Sequence, residues 1–293
     1  MFPPCVTYLE ATVDMLWSIV GVAMTIVASL FYQPSGYENA ATDGSEVVLV
    51  SYQRAADVGD LVTKLRSGDP RERVAAACQL QQLGSEARSA IPALVERLAD
   101  GSPVDPMACG SDRFYWSKDT ERELTAGEEA AAALVAIGTE SLPPLVTASR
   151  APQWVARRNA VWALGALDDG RAAAPVLMTL ADREPPVRRV AAWALGALQA
   201  SDAVPALIAA LKDSDAEVRS QVAWALGTIG DRRAVDGLIA ALKDEGERVR
   251  SQAAWALGAL GDRRASDALA GLLKDPSARV RKQAAWALGT IGR

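Results

Sequence analysis

The sequence predicts an all-α chain in which about seven two-helix units stack into a solenoid behind one apolar N-terminal helix. Three observations predict it. The tetrapeptide Trp-Ala-Leu-Gly begins at Trp162, Trp193, Trp224, Trp255 and Trp286, so it recurs every 31 residues. Two charged positions keep the same period. Arg157, Arg188, Arg219, Arg250 and Arg281 stand five residues before a tryptophan, and Asp182, Asp213, Asp244 and Asp275 stand eleven before one. Between these marks each unit carries two stretches of helical hydrophobic spacing parted by turn residues. One helix pair cannot bury its own apolar face, so stability must come from stacking units.

The chain opens on an apolar segment. Residues 15–32 (MLWSIVGVAMTIVASLFY) hold 18 uncharged residues, near the lower length for a helix that spans a bilayer. Trp17 at one end and Phe31–Tyr32 at the other are placed like interfacial anchors. A signal peptide is the alternative. It wants a basic leading region, but Glu10 and Asp14 precede the segment with no Lys or Arg, and no A-x-A cleavage site follows. The expectation is a chain anchored in a membrane by one helix within residues 1–32, or secreted if that helix is removed. The side of the membrane stays open, because the first basic residue after the segment is Arg54. Residues 33–56 read as a polar linker with a short apolar patch at 47–52.

The repeats then fill residues 57–293, in units at about 57–84, 85–138, 139–167, 168–198, 199–230, 231–261 and 262–293. The first two lack the tryptophan: Cys78 (in VAAACQLQQLG) and Ala132 (in AAALVAIG) hold its position. In the fifth unit, residues 203–211 form a short first helix, with Pro205 tolerated in its first turn. Residues 212–216 (KDSDA) form a turn rich in N-capping side chains, residues 217–229 a second helix, and Gly230 its C-cap. On a helical wheel Val218, Val222, Ala225, Leu226 and Ile229 share the core face. Trp224 lies about 140° from the centre of that face, so complete burial of its indole is not expected.

The pattern AVPALIAALKDSDAEVRSQVAWALGTIGD resembles the bacterial HEAT-like repeat first associated with phycobilin lyases, and the resemblance covers residues 57–293. It implies a right-handed α-solenoid whose second helices line the concave surface. By the same resemblance the turn aspartate and the arginine pair within or between units, Asp213 with Arg219 and their equivalents, as a structural ladder. Five indoles would run along the concave surface, bordered by Gln221, Gln252 and Gln283 three residues earlier in their units. Such a row offers stacking faces and amide hydrogen bonds to a partner, or mortar between units, or both at once.

Two further features stand outside the regular repeat. The second unit holds 23 extra residues, placed at about 101–122 (GSPVDPMACGSDRFYWSKDTER), with Phe114, Tyr115 and Trp116 at its centre. Insertions in solenoids become loops on one face, and this one reads as a partner epitope or a cover for the early units. The seventh unit carries apolar Ala268, Leu272 and Trp286 beside Arg279, Arg281 and Lys282, which predicts self-association through this end. Cys5, Cys78 and Cys109 form no motif; Cys78 reads as a packed repeat residue and Cys109 as a weak nucleophile candidate.

Function follows largely by exclusion. The chain contains no histidine, which removes Ser-His-Asp and Cys-His pairs and histidine metal sites. It therefore also lacks ligands for the iron site of the HEAT-like hydroxylases. A net charge of −5 argues against nucleic acid, including the DNA-glycosylase use of such repeats. The reading is a non-catalytic scaffold or adaptor with a protein partner, no cofactor and no metal. The resemblance offers two alternatives: attachment of a bilin chromophore, with the Trp row as its cradle, and a regulatory subunit of a membrane sensor.

Overall fold

A computed structural model of the chain describes residues 57–104, 109 and 124–292. All the elements below fall within one compact unit, residues 51–293. The apolar segment 15–32, the linker 33–56 and the aromatic triplet Phe114–Trp116 lie outside the described residues. Among the described residues this unit is built almost wholly from helices. Seven helix pairs follow one another among the described residues: α1 (57–64) with α2 (Pro70–Leu83), α3 (Ile91–Arg97) with α4 (Ala126–Ile137), and α5 (Leu142–Ala148) with α6 (Trp154–Ala166). The regular units supply α7 (Ala173–Met178) with α8 (Pro185–Ala197), α9 (Val204–Ala210) with α10 (Ala216–Ile229), α11 (Val235–Ala241) with α12 (Glu247–Leu260), and α13 (Ser266–Gly271) with α14 (Ala278–Ile291).

The fifth unit shows why the sequence folds this way. A 3₁₀ turn at Ser201–Ala203 leads into α9, and Pro205 sits at its start, where no N–H is needed. Asp215 caps α10 by accepting from the Glu217 and Val218 amides at 2.9 and 3.0 Å. Gly230 ends α10 in the left-handed conformation at φ 77°, which costs glycine nothing. The expected wheel holds, with Val218, Val222, Ala225 and Leu226 buried and Ile229 half-buried. The opposite flanks are buried too: Arg219, Ser220, Ala223 and Gly227 disappear between neighbouring second helices. This is the mark of a stack, since a middle helix has a neighbour on both sides. Successive second helices pack directly on one another from α2 to α14, while the first helices meet each other more sparsely. One continuous core runs through all seven units.

The second unit departs from an all-helical plan. Pro103–Val104 (β1) pairs antiparallel with Leu124–Thr125 (β2), so the insertion leaves and re-enters on a two-stranded stem between α3 and α4. Val104 packs with Val74, Cys78 and Ala126 in a small core of its own. Cys109 closes that core through a disulfide to Cys78, with Cα atoms 5.4 Å apart. Cys78 is packed, as expected from its repeat position, but Cys109 is its disulfide partner and not a free thiol. The two are brought together because the stem folds back onto α2.

Membrane anchoring is also corrected. Among the described residues no helix is long and apolar enough to cross a membrane. The longest have 14 residues, or about 21 Å at 1.5 Å per residue, against about 30 Å of hydrocarbon.

Candidate functional site

The repeated arginines and aspartates build a ladder, and its rungs run between units. Arg219 donates through Nε and Nη2 to both oxygens of Asp244, one unit ahead, at 2.7 and 2.9 Å. Its Nη1 turns back to the carbonyls of Asp213 and Ser214 in its own turn, at 2.8 and 3.3 Å. Arg157–Asp182, Arg188–Asp213 and Arg250–Asp275 repeat this arrangement. The carboxylate of Asp213 thus belongs to Arg188, while Arg219 takes only the Asp213 backbone oxygen; the side-chain pair Asp213–Arg219 drawn from the resemblance does not form. Each aspartate also accepts the amide two residues on, as Asp244 does from Gly246 at 2.8 Å, which fixes the turn before the next helix. An earlier rung, Arg73 to Asp100, was not among the sequence candidates because the insertion obscures the period. At the far end Arg281 donates to the carbonyls of Asp275 and Pro276.

These pairs tune the aspartates. Burial is the largest single influence on Asp100, Asp182, Asp213 and Asp244 and opposes their charge, but the hydrogen bonds from Arg73, Arg157, Arg188 and Arg219, those from the turn two residues on and the nearby guanidinium charges together outweigh it and hold the carboxyls below the usual range. Asp275 is lowered chiefly by its hydrogen bonds to Arg250. A depressed carboxyl contributes stability above its unfolded pKa, about 3.9 for Asp, and loses it as pH falls through the folded value. Stability of the stack should therefore be level near neutrality and fall steeply below about pH 4. Denaturant melts across pH 2–7, followed by circular dichroism, check this, and a flat profile would contradict it.

The tryptophans occupy the seams of the same second helices. Trp162, Trp193, Trp224, Trp255 and Trp286 are all half-buried. Cζ3 of each of the last four lies over the motif glycine of the preceding unit. A Cβ built on Gly165 would come within 2.9 Å of Trp193, one on Gly196 within 2.8 Å of Trp224, one on Gly227 within 2.7 Å of Trp255, and one on Gly258 within 2.6 Å of Trp286. The glycine of Trp-Ala-Leu-Gly is therefore a notch that receives the next indole. Gly289 faces open space. Trp162 and Trp193 stack with ring centres 6.4 Å apart and planes inclined by 11°. Gln221, Gln252 and Gln283 are half-buried one helical turn before their tryptophans.

The base of the insertion lies on this same layer. Cys78 holds the register position that the indoles hold later, and the β1–β2 stem with Cys109 covers it. Four further polar residues lie at the foot of the insertion, and three of them, Glu128, Arg158 and Asn159, tie the second repeat to the third. Glu128 accepts from the Thr125 amide at 3.0 Å and from Arg158 Nη2 at 2.9 Å. Arg158 also donates to Asn159, and its guanidinium lies 5.5 Å from the ring centre of Trp154. Asn159 Nδ2 donates to the Leu98 carbonyl at 2.9 Å. Glu129 is buried, with Oε2 at 3.1 Å from Cys109 Sγ. The sequence offers only a weak signal for this cluster: Arg158 follows the ladder arginine where the fifth and sixth units have Ser220 and Ser251, but the fourth unit has Arg189 there and the seventh Lys282.

Family models for HEAT repeats match residues 178–253 and 235–293, and the model for the phycobilisome-lyase HEAT-like repeat matches residues 72–100 and 156–183. No curated protein matches the chain in sequence. Among solved structures, the complex of CpcE and CpcF of phycocyanin lyase from Nostoc sp. PCC7120 is 21% identical and covers 89% of this chain and 98% of its own, with a TM-score of 0.44. Kap121p bound to Pho4p is 17% identical with a TM-score of 0.65, and importin beta is 17% identical with a TM-score of 0.57. The match covers 83% of this chain but 30% of Kap121p, and 82% of this chain but 38% of importin beta, so the chain spans about a third of those proteins. At this identity the likeness concerns the fold alone. With the period, the stacked helix pairs and the family models in agreement, the chain is a HEAT-like repeat protein.

Proposed function

We propose that the chain is a non-catalytic scaffold that binds a protein partner along its second-helix layer, from the insertion at 101–122 to the indoles of the later units. One observation carries the reading: the root of the insertion and the five half-exposed indoles share that layer. The second helices are also the more closely packed layer, and in a curved stack the closer-packed layer takes the inner, concave side. An indole with one edge held in a glycine notch is a rigid contact that loses little entropy on binding, and the neighbouring glutamines add amide donors and acceptors. Several modest contacts along one stiff surface add up to useful affinity. The chromophore-attachment alternative would use the same layer, and it draws only on the family match at 72–100 and 156–183, which specifies the repeat.

The triple change Gln221→Ala, Gln252→Ala, Gln283→Ala tests the reading without emptying the seams. A partner captured by the full chain should cross-link to α10, α12 or α14. It should bind the triple variant about tenfold more weakly, or about 1.4 kcal/mol, with little change in Tm. Cross-links confined to the first helices α9 and α11, with affinity unaltered by the triple change and by deletion of residues 101–122, would overturn it.

A further inference from the structure

We infer that Cys78, Cys109 and Glu129 form a redox-gated site for a thiolate-preferring divalent cation of the zinc type. The Sγ atoms of both cysteines and a carboxylate oxygen of Glu129 lie within 4.8 Å of one another. They come from three separate pieces of backbone: the middle of α2, the insertion beyond β1, and the first turn of α4. Cys78 and Glu129 are buried, at 5% and 4% exposure, and Cys109 is half-buried. The surrounding Val74, Val104 and Ala126 make a dry wall on one side. Two thiolates and one carboxylate are a donor set suited to zinc, with a fourth position left for water.

The carboxylate is the telling part. Glu129 Oε2 stands 3.1 Å from Cys109 Sγ. In the disulfide that sulfur has no proton to donate; after reduction a thiol S–H can donate to this oxygen, and a cation can be shared by the sulfur and the oxygen at the same place. Tetrahedral zinc with bonds of about 2.3 Å to sulfur would hold the two sulfurs about 3.8 Å apart, within reach of cysteines whose Cα atoms are 5.4 Å apart.

The chemistry balances in two steps. A dithiol reductant passes two electrons and two protons to the Cys78–Cys109 bond, becoming a disulfide itself and leaving two thiols. The cation then binds the two sulfurs as thiolates, and the two thiol protons leave to solvent. In the oxidised chain the disulfide staples the insertion to α2; in the reduced chain the cation takes over that tie.

The test is a cobalt titration of the reduced full chain. A thiolate-to-cobalt charge-transfer band reports cysteine ligation, and with no histidine in the sequence no imidazole site competes for the cobalt. One equivalent should saturate the band, and zinc should displace cobalt. The oxidised chain should give no band. Glu129→Gln should weaken binding about tenfold or more, Cys78→Ser or Cys109→Ser should abolish it, and Cys5→Ser should leave it unchanged. Alkylation of the wild-type chain supplies a readout that needs no variant: zinc should slow modification of Cys78 and Cys109 but not of Cys5. No band from the reduced chain, a band that survives loss of both Cys78 and Cys109, or equal alkylation with and without zinc would overturn the proposal.

Discussion

Replacing Arg219 by alanine should destabilise the stack by about 3 kcal/mol, the lower end of the range for removing one partner of a buried ion pair. Arg219 and Asp244 keep 9% and 12% of their side-chain surface exposed, so solvent relieves little of the loss. The change strands the Asp244 carboxylate and also frees two turn carbonyls, those of Asp213 and Ser214. Lysine should rescue poorly. An ammonium cannot present the planar fork that meets both carboxylate oxygens while a third nitrogen reaches back to the turn. Arg281→Ala is the control at the same repeat position. Among the described residues Arg281 is exposed and donates only to the carbonyls of Asp275 and Pro276, so its loss should cost under about 1 kcal/mol. Chemical denaturation of the three variants checks the ordering. Equal, small losses at Arg219 and Arg281 would mean that the ladder does not couple the units.

The motif glycines should respond with opposite signs at one repeat position. Gly227→Ala places a methyl group 2.7 Å from the Ala256 Cβ and from Trp255 Cζ3, and 2.8 Å from the Ala256 Cα. Two of these neighbours belong to, or are fixed by, the backbone of α12, so the contact is relieved only by moving that helix. Overpacking of this kind costs about 1–3 kcal/mol, and the backbone contacts place Gly227 toward the upper end. Alanine's better helix propensity returns about 1 kcal/mol at most. At Gly289 the propensity gain stands alone, since a Cβ there meets nothing within 4 Å, and Gly289→Ala should stabilise by about 0.5–1 kcal/mol. Thermal melts of the two variants decide it, and a stabilised Gly227→Ala would remove the notch from the account.

These two predictions separate what the sequence made legible from what it did not. Residues 199–230 reveal the helix pair, the Asp215 cap and the Gly230 stop almost to the residue, because caps, turns and hydrophobic spacing are local. The ladder residues are equally visible as a period. Their partners are not, since Asp213 is six residues from Arg219 but pairs with Arg188, and only the stacking geometry decides between them. Gly227 is visible in the sequence as part of a tetrapeptide, yet its role depends on where Trp255 lands, a contact across units. Cys78 and Cys109 stayed unconnected for a related reason: nothing local says that the insertion returns on a β stem to cover α2. The same fold-back gathers Glu128, Arg158 and Asn159, whose partners are 30 and 61 residues away.

On the proposed function each indole has two jobs, an edge held between units and a face turned to a partner. Trp224→Ala measures both in one molecule. Its Cζ3 leaves the notch at Gly196, so the melting temperature should fall, and the affinity for the captured partner, measured well below both melting points, should fall with it. A large loss of melting temperature with the affinity intact would contradict the account and reduce the tryptophan row to mortar.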